Sequence, residues 1–254
     1  MTSRTPLSCS PAPRDQPTAA DRVARWNATG NPQDLWPASS PEDRLAAHRL
    51  VSATARAVLS GEQPPPLQLP RPEALAAMGA AAFVSGLGPL LGYWIERGTV
   101  EAPASVADLV RAHYASAARR SARLTAATLE ILDRGAERGL AFILLKGMHT
   151  AHEYFPDPGT RPAADVDVLV APGDAGAAEE LLAQLGFDEM RPATDGTRSE
   201  WYRRGVARMP ITLDAEHEDN RWAVDLHFAL TRRYYRGLRA GLPQPVAHEL
   251  VDRN

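Results

Sequence analysis

The hydrophobic period of this chain changes at Gly139, and that change constrains the fold more than any other feature. Before Gly139, apolar residues recur at helical spacing. After it, they gather in short runs or alternate two by two, as strand residues do. The chain therefore reads as a helical N-terminal half and an α/β C-terminal half, α+β in its overall class.

Residues 1–40 are rich in Pro, Ser, Thr and Asp, and Trp26 and Trp36 are the only large anchors. The first 20 are expected to be disordered and the remainder weakly ordered. Ser40-Pro41-Glu42-Asp43 carries a cap, a first-turn proline and early acids, so a helix is expected from there to about Ser60. Pro64-Pro65-Pro66 forces an extended link. A second helical stretch covers Pro72 to Glu96 with a break near Gly86-Leu87-Gly88-Pro89, and a third runs from Ser105 to about Arg138. The Gly-x-Gly at that break does not read as a dinucleotide loop: it follows a helix, lacks the third glycine and precedes proline. Residues 41–138 thus form a helical region, 139–230 an α/β core, and 231–254 a short tail with helix as one option.

Within the core, Leu140 to Leu145 is a continuous apolar run, as expected of a buried strand. A short helix, Met148 to Tyr154, ends at Phe155-Pro156-Asp157-Pro158-Gly159. Ala164 to Val170 reads as a strand, Ala175 to Leu185 as an amphipathic helix closed by Gly186. Further strands are expected around Glu200–Arg204, Ile211–Glu218 and Trp222–Phe228.

Composition excludes several function classes. The single cysteine, Cys9, rules out a disulfide framework and any multi-cysteine metal site. No apolar run approaches the ~18–20 residues of a membrane span, and Met1 to Ser10 lacks a signal-like apolar segment. The expectation is a cytoplasmic protein with no membrane partner. A net charge of −3 disfavours extensive nucleic-acid contact while leaving room for a local basic groove. Of the 28 Lys and Arg residues only Lys146 is lysine, and it stands at a strand-to-helix turn.

Asp165 and Asp167 sit two apart on a strand, so they share a face opposite Val166, Val168 and Val170, ~6.5–7 Å apart along the chain. Carboxylates placed so repel unless a positive charge lies between them, and a divalent ion with oxygen ligands supplies one. A solvent-facing strand with alternating acids is the other reading of the pair alone. Asp225 and His227 repeat the arrangement opposite Val224, Leu226 and Phe228, so Asp225 is a candidate third ligand and proton acceptor. Lys146-Gly147 opens a helix whose N-terminus favours an anion. His149 and His152 read as surface or lining residues. Asp214, Glu216 and Glu218 read as a solvent face, though one of them is an alternative third ligand. His217 lies near the proposed site. Arg203, Arg204, Arg208, Arg232, Arg233, Arg236 and Arg239 read mainly as solvated surface.

Leu145-Lys146-Gly147, the turn Asp157-Pro158-Gly159-Thr160-Arg161, Asp165-Val166-Asp167 and Val224-Asp225-Leu226-His227 together resemble the DNA polymerase β-type nucleotidyltransferase superfamily, and within it the uncharacterised bacterial nucleotidyltransferase family. The resemblance implies a mixed sheet with flanking helices and a metal-dependent transfer of NMP from an NTP to a hydroxyl acceptor. It implies that Asp165 and Asp167 bind two Mg²⁺ ions, with Mn²⁺ as a substitute, and that Asp225 holds the catalytic ion and activates the acceptor. Gly147 and Met148 would open the phosphate cradle, Lys146 and Arg161 are candidate phosphate contacts, and His227 is a candidate for orienting Asp225 or the acceptor. The acceptor would be a small molecule, peptide or protein, with RNA less favoured. Two departures stand out. The superfamily usually has Gly-Ser or Gly-Gly where this chain has Gly147-Met148. The sequence also stops soon after Asp225, so the base or acceptor wall is expected to be reduced or supplied by a partner protein. A non-catalytic nucleotide-binding or partner-dependent subunit, and a phosphotransferase, are the alternatives of the same fold.

Overall fold

The computed structural model describes residues 19–192, 197–205, 222–233 and 239–241. Seven α-helices and five strands of one mixed sheet make up most of them. α1 (Ala19–Thr29) shows that part of the segment expected to be weakly ordered is helical. α2 (Pro41–Leu59) begins as the sequence requires. The Ser40 side chain accepts from the Asp43 N–H at 3.0 Å and Pro41 occupies the first turn.

α3 (Leu75–Val84) and α4 (Gly88–Glu96) meet at a bend of 107°, at the glycine-proline break. No single helix among the described residues is long and apolar enough to cross a membrane. α5 (Ala104–Ala136) has 33 residues, about 50 Å of helix. Its length lets it serve two cores. Val106, Ala107 and Val110 pack with α2, α3 and α4, while Leu124, Ala127 and Ile131 pack against the sheet. Close approach at the first core depends on Gly92, where a Cβ would lie 2.3 Å from the Val110 carbonyl oxygen.

The sheet contains β1 (Ile143–Leu144), β2 (Asp165–Leu169), β3 (Phe187–Arg191), β4 (Arg198–Arg203) and β5 (Ala223–His227) in the order β1-β2-β5-β4-β3. Only β2 and β5 are parallel; the other three pairings are antiparallel. Val166, Val168, Val224, Leu226 and Trp201 share one core with α5, with Met148 of α6 (Lys146–Tyr154), and with Ala178, Leu181 and Leu182 of α7 (Ala175–Gln184).

Three expectations change. The run Leu140 to Leu145 is not a central buried strand: only Ile143 and Leu144 pair, at the sheet edge, and both are half-buried. Its first residue instead closes α5, the Leu140 N–H donating to the Gly135 carbonyl at 2.9 Å. Phe142 fills the space a Gly135 side chain would need, with a Cβ there 2.4 Å from its ring. β3 was not expected, because Phe187 is its only buried residue and no alternation marks it. Beyond the sheet, Thr231–Arg233 and Arg239–Gly241 pair as a short antiparallel ribbon, β6 and β7, where a helical tail was one option. The strand expected at Ile211–Glu218 lies outside the described residues, and with it Asp214, Glu216, His217 and Glu218. So do Arg208 and Arg236, and most of the first 20 residues.

Candidate active site

The parallel pairing of β2 with β5 sets Asp167 directly beside Asp225 and Leu169 beside His227. The alternation then does the sorting. Val166, Val168, Val224 and Leu226 turn to the core, and Asp165, Asp167, Asp225 and His227 turn to the other face. Glu200 on β4 stands opposite Asp225, so a row of three acids crosses three neighbouring strands.

The turn into α6 is built onto this face. The Leu145 N–H donates to the backbone carbonyl of Asp167 at 2.9 Å, holding the next residue, Lys146, over that strand. Gly147 follows with φ +33° and ψ −98°, a backbone that side chains disfavour. A Cβ on Gly147 would lie 3.6 Å from Asp167 Oδ2. The helix therefore starts against the carboxylates, with its N-terminal end beside them.

Asp167 is fully buried. Its Oδ1 receives Lys146 Nζ at 3.1 Å and His227 Nε2 at 3.0 Å, while Oδ2 has no hydrogen-bond partner. Burial pushes this carboxyl up, but the hydrogen bonds and charges of His227 and Lys146 outweigh it and hold the group below its ordinary value. At Asp225 the balance reverses. Burial dominates over the attraction of Arg198, and the neighbouring Asp167 and Asp165 charges add to the upward shift. Arg198 donates to Asp225 Oδ2 in a charge-assisted bond.

One carboxylate oxygen each from Asp167 and Asp225 and a ring nitrogen of His227 all lie within 4.8 Å of one another, close enough to hold a metal ion. Asp165 begins β2 on the same face, half-buried and outside that close group. Met148, expected at the opening of the phosphate cradle, is 1% exposed with its side chain in the core, so only its backbone can face a ligand there. Arg161 ends the 3₁₀ turn Pro158–Thr160, half-buried, and makes no ion pair among the described residues. His152 bonds Thr125 at 3.0 Å and His149 meets the Tyr154 ring edge-on, both consistent with lining or surface roles. Arg203 lies over the Phe187 ring and Arg204 pairs with Asp188, away from the carboxylates.

Two residues escaped the sequence reading. Arg198 was legible in principle, since Arg198, Glu200 and Tyr202 alternate on one face of β4 beside the Asp225 strand. Arg120 left no signal. It is buried on α5, and its Nε donates at 2.7 Å to the carbonyl of Ala163, two residues before Asp165. Gly159 docks the preceding turn on the same helix, where a Cβ would lie 2.6 Å from Ala118 Cα.

A mixed sheet with acids on adjacent parallel strands, and a glycine turn leading a helix up to them, is consistent with a nucleotidyltransferase-type domain. The chain belongs to the uncharacterised nucleotidyltransferase family, whose family model matches residues 74–249. No curated protein and no solved structure matches it. Family membership supports nucleotidyl transfer as the general activity.

Proposed function

We propose that the protein is a divalent-metal-dependent nucleotidyltransferase. It moves NMP from an NTP to a hydroxyl group on a small molecule, peptide or protein and releases pyrophosphate. One observation carries the reading: a fully buried carboxylate, Asp167, keeps an unpartnered oxygen beside Asp225 and beneath a glycine-led helix start. An orphaned buried oxygen is costly, and a bound cation would satisfy it. The donor set therefore fits a divalent ion. Asp165, Asp167 and Asp225 are the residues that would hold Mg²⁺, or Mn²⁺ in its place. Bound there, the ion offsets charge on the phosphates.

The chain's own groups account for the rest. The N-terminal end of α6 and the Gly147 backbone favour the triphosphate, since no side chain intervenes there. Lys146 is 67% exposed and long enough to leave Asp167 for a phosphate oxygen. Arg161 is the second candidate contact. The acceptor oxygen attacks the α-phosphorus, the bond from that phosphorus to the β-bridging oxygen breaks, and pyrophosphate carries off the electron pair. Asp225 takes the acceptor proton. The strand alternation holds that carboxylate on the site face, where Arg198 pairs with it.

One observation favours a second reading, a non-catalytic nucleotide-binding or partner-dependent subunit. The Gly147-Met148 turn carries no side-chain hydroxyl for a phosphate, and the Met148 side chain is buried in the core. Calorimetry with the Mg²⁺ complexes of ATP, CTP, GTP and UTP tests both. Binding of at least one by the wild type, lost in the Asp165→Ala/Asp167→Ala double variant, supports a metal-held nucleotide. Equal binding by the double variant refutes it. Tight binding without turnover, or turnover only with a partner added, selects the second reading.

A further inference from the structure

We infer that the ion at this site is held by one nitrogen and two carboxylates, His227 with Asp167 and Asp225, which makes the site selective for first-row transition ions over Mg²⁺. The inference rests on the divalent-ion reading given above and revises its ligand set, with His227 in the place given there to Asp165.

The geometry comes from the strand register. His227 lies two residues beyond Asp225 on the same face of β5, and its Nε2 reaches across to within 3.0 Å of Asp167 Oδ1. The three ligand atoms lie within 4.8 Å of one another, a spacing that lets one ion take all three. Asp165 lies outside this group, although the sequence ranks it beside Asp167. The close set is thus O,O,N rather than O,O,O.

Two further observations point to a ligand. Asp167 is fully buried and its Oδ2 has no partner, so the cluster is one oxygen short of satisfaction with the chain's own groups. The cations now touching the carboxylates are also displaceable. Lys146 is 67% exposed and Arg198 43% exposed, so each can withdraw into water when an ion arrives. His227 is different. Its side chain is only 16% exposed and sits on the sheet face beside the two carboxylates, where an ion between them would meet it. An imidazole nitrogen suits borderline first-row ions, whereas Mg²⁺ demands oxygen and near-ideal octahedral geometry.

The test uses the full chain, first without nucleotide and then with each NTP. Titrate it calorimetrically with Mg²⁺, Mn²⁺ and Co²⁺, and record pulsed EPR of the Mn²⁺ form for ¹⁴N coupling. The wild type should bind Co²⁺ and Mn²⁺ more tightly than Mg²⁺ and show ¹⁴N coupling. His227→Asn should lose the coupling, and His227→Asp should lower the Co²⁺-to-Mg²⁺ affinity ratio by roughly tenfold or more, since an oxygen ligand replaces the imidazole nitrogen. Both variants should keep the wild-type circular dichroism in metal-free buffer. An ion bound without ¹⁴N coupling, or an unchanged ratio in His227→Asp, overturns the inference and leaves His227 a hydrogen-bond partner of Asp167. No divalent-ion binding, with or without NTP, overturns both the inference and the metal-dependent reading. Selective ion binding without any NTP binding supports the inference and removes only the nucleotidyl-transfer reading.

Discussion

Asp167→Asn separates a ligand from a structural ion pair. A carboxylate kept only to anchor a buried pair costs about 3–5 kcal/mol when its charge is removed, because the partner stays buried and uncompensated. The geometry predicts far less here. Lys146 is 67% exposed, so its attraction is screened to about 0–1 kcal/mol and its ammonium returns to water. Asparagine still offers an oxygen to His227, and neutralising the group removes part of the cost of the unpartnered Oδ2, about 1–3 kcal/mol. These effects oppose one another, and a net loss of about 1 kcal/mol or less is expected in metal-free buffer. The ion-dependent part is larger. At a divalent ion concentration of about 100 times Kd, the wild type gains about 2.7 kcal/mol, roughly 5–10 °C in Tm. Asp167→Asn should gain almost nothing. Urea denaturation at neutral pH, with and without the ion, gives all four values. A loss of 3 kcal/mol or more without metal, or an undiminished gain with metal, refutes the reasoning.

Three more outcomes follow from the same geometry. Lys146→Arg keeps the charge but not the compact ammonium, so NTP affinity by calorimetry should fall roughly tenfold; unchanged affinity and rate would make the only lysine a coincidence. Arg120→Met leaves the buried Ala163 carbonyl without its donor; it should cost about 1–3 kcal/mol in urea denaturation and weaken divalent-ion binding by shifting the start of β2. Asp43 is held below its ordinary value of 3.8 by hydrogen bonds from Arg71 and Ser40. It therefore contributes stability above about pH 4 that is lost as pH falls through its folded value. Asp43→Asn should flatten the stability curve between about pH 5 and pH 2, measured by thermal melts across that range.

The elements that were legible have one face or stripe committed to a core. α5 announced itself through Val106, Val110, Leu124 and Ile131, and β2 and β5 through valines and leucines alternating with acids. The same alternation exposed Asp165, Asp167 and Asp225, because a carboxylate on an otherwise apolar strand breaks the pattern. Edges were harder to read. β1 pairs over only two residues, and β3 buries only Phe187, so neither leaves a period. Contacts between distant segments left least trace. Nothing local to Arg120 indicates that it reaches Ala163 across 43 residues, and nothing local to Met148 shows its side chain turned into the core. His227 was visible as a neighbour of Asp225. Its approach to Asp167 depends on strand pairing, which periodicity does not supply.

The central claim is that this site breaks the bond between the α- and β-phosphates of an NTP on Asp165, Asp167 and Asp225. Incubation with α-labelled and γ-labelled ATP, CTP, GTP and UTP in the presence of Mg²⁺ or Mn²⁺ tests it most directly, with water as the default acceptor. The predicted result is labelled NMP from the α-label and labelled pyrophosphate from the γ-label, both absent in the Asp165→Ala/Asp167→Ala variant. Labelled orthophosphate with NDP, or undiminished NMP formation by the double variant, would contradict it.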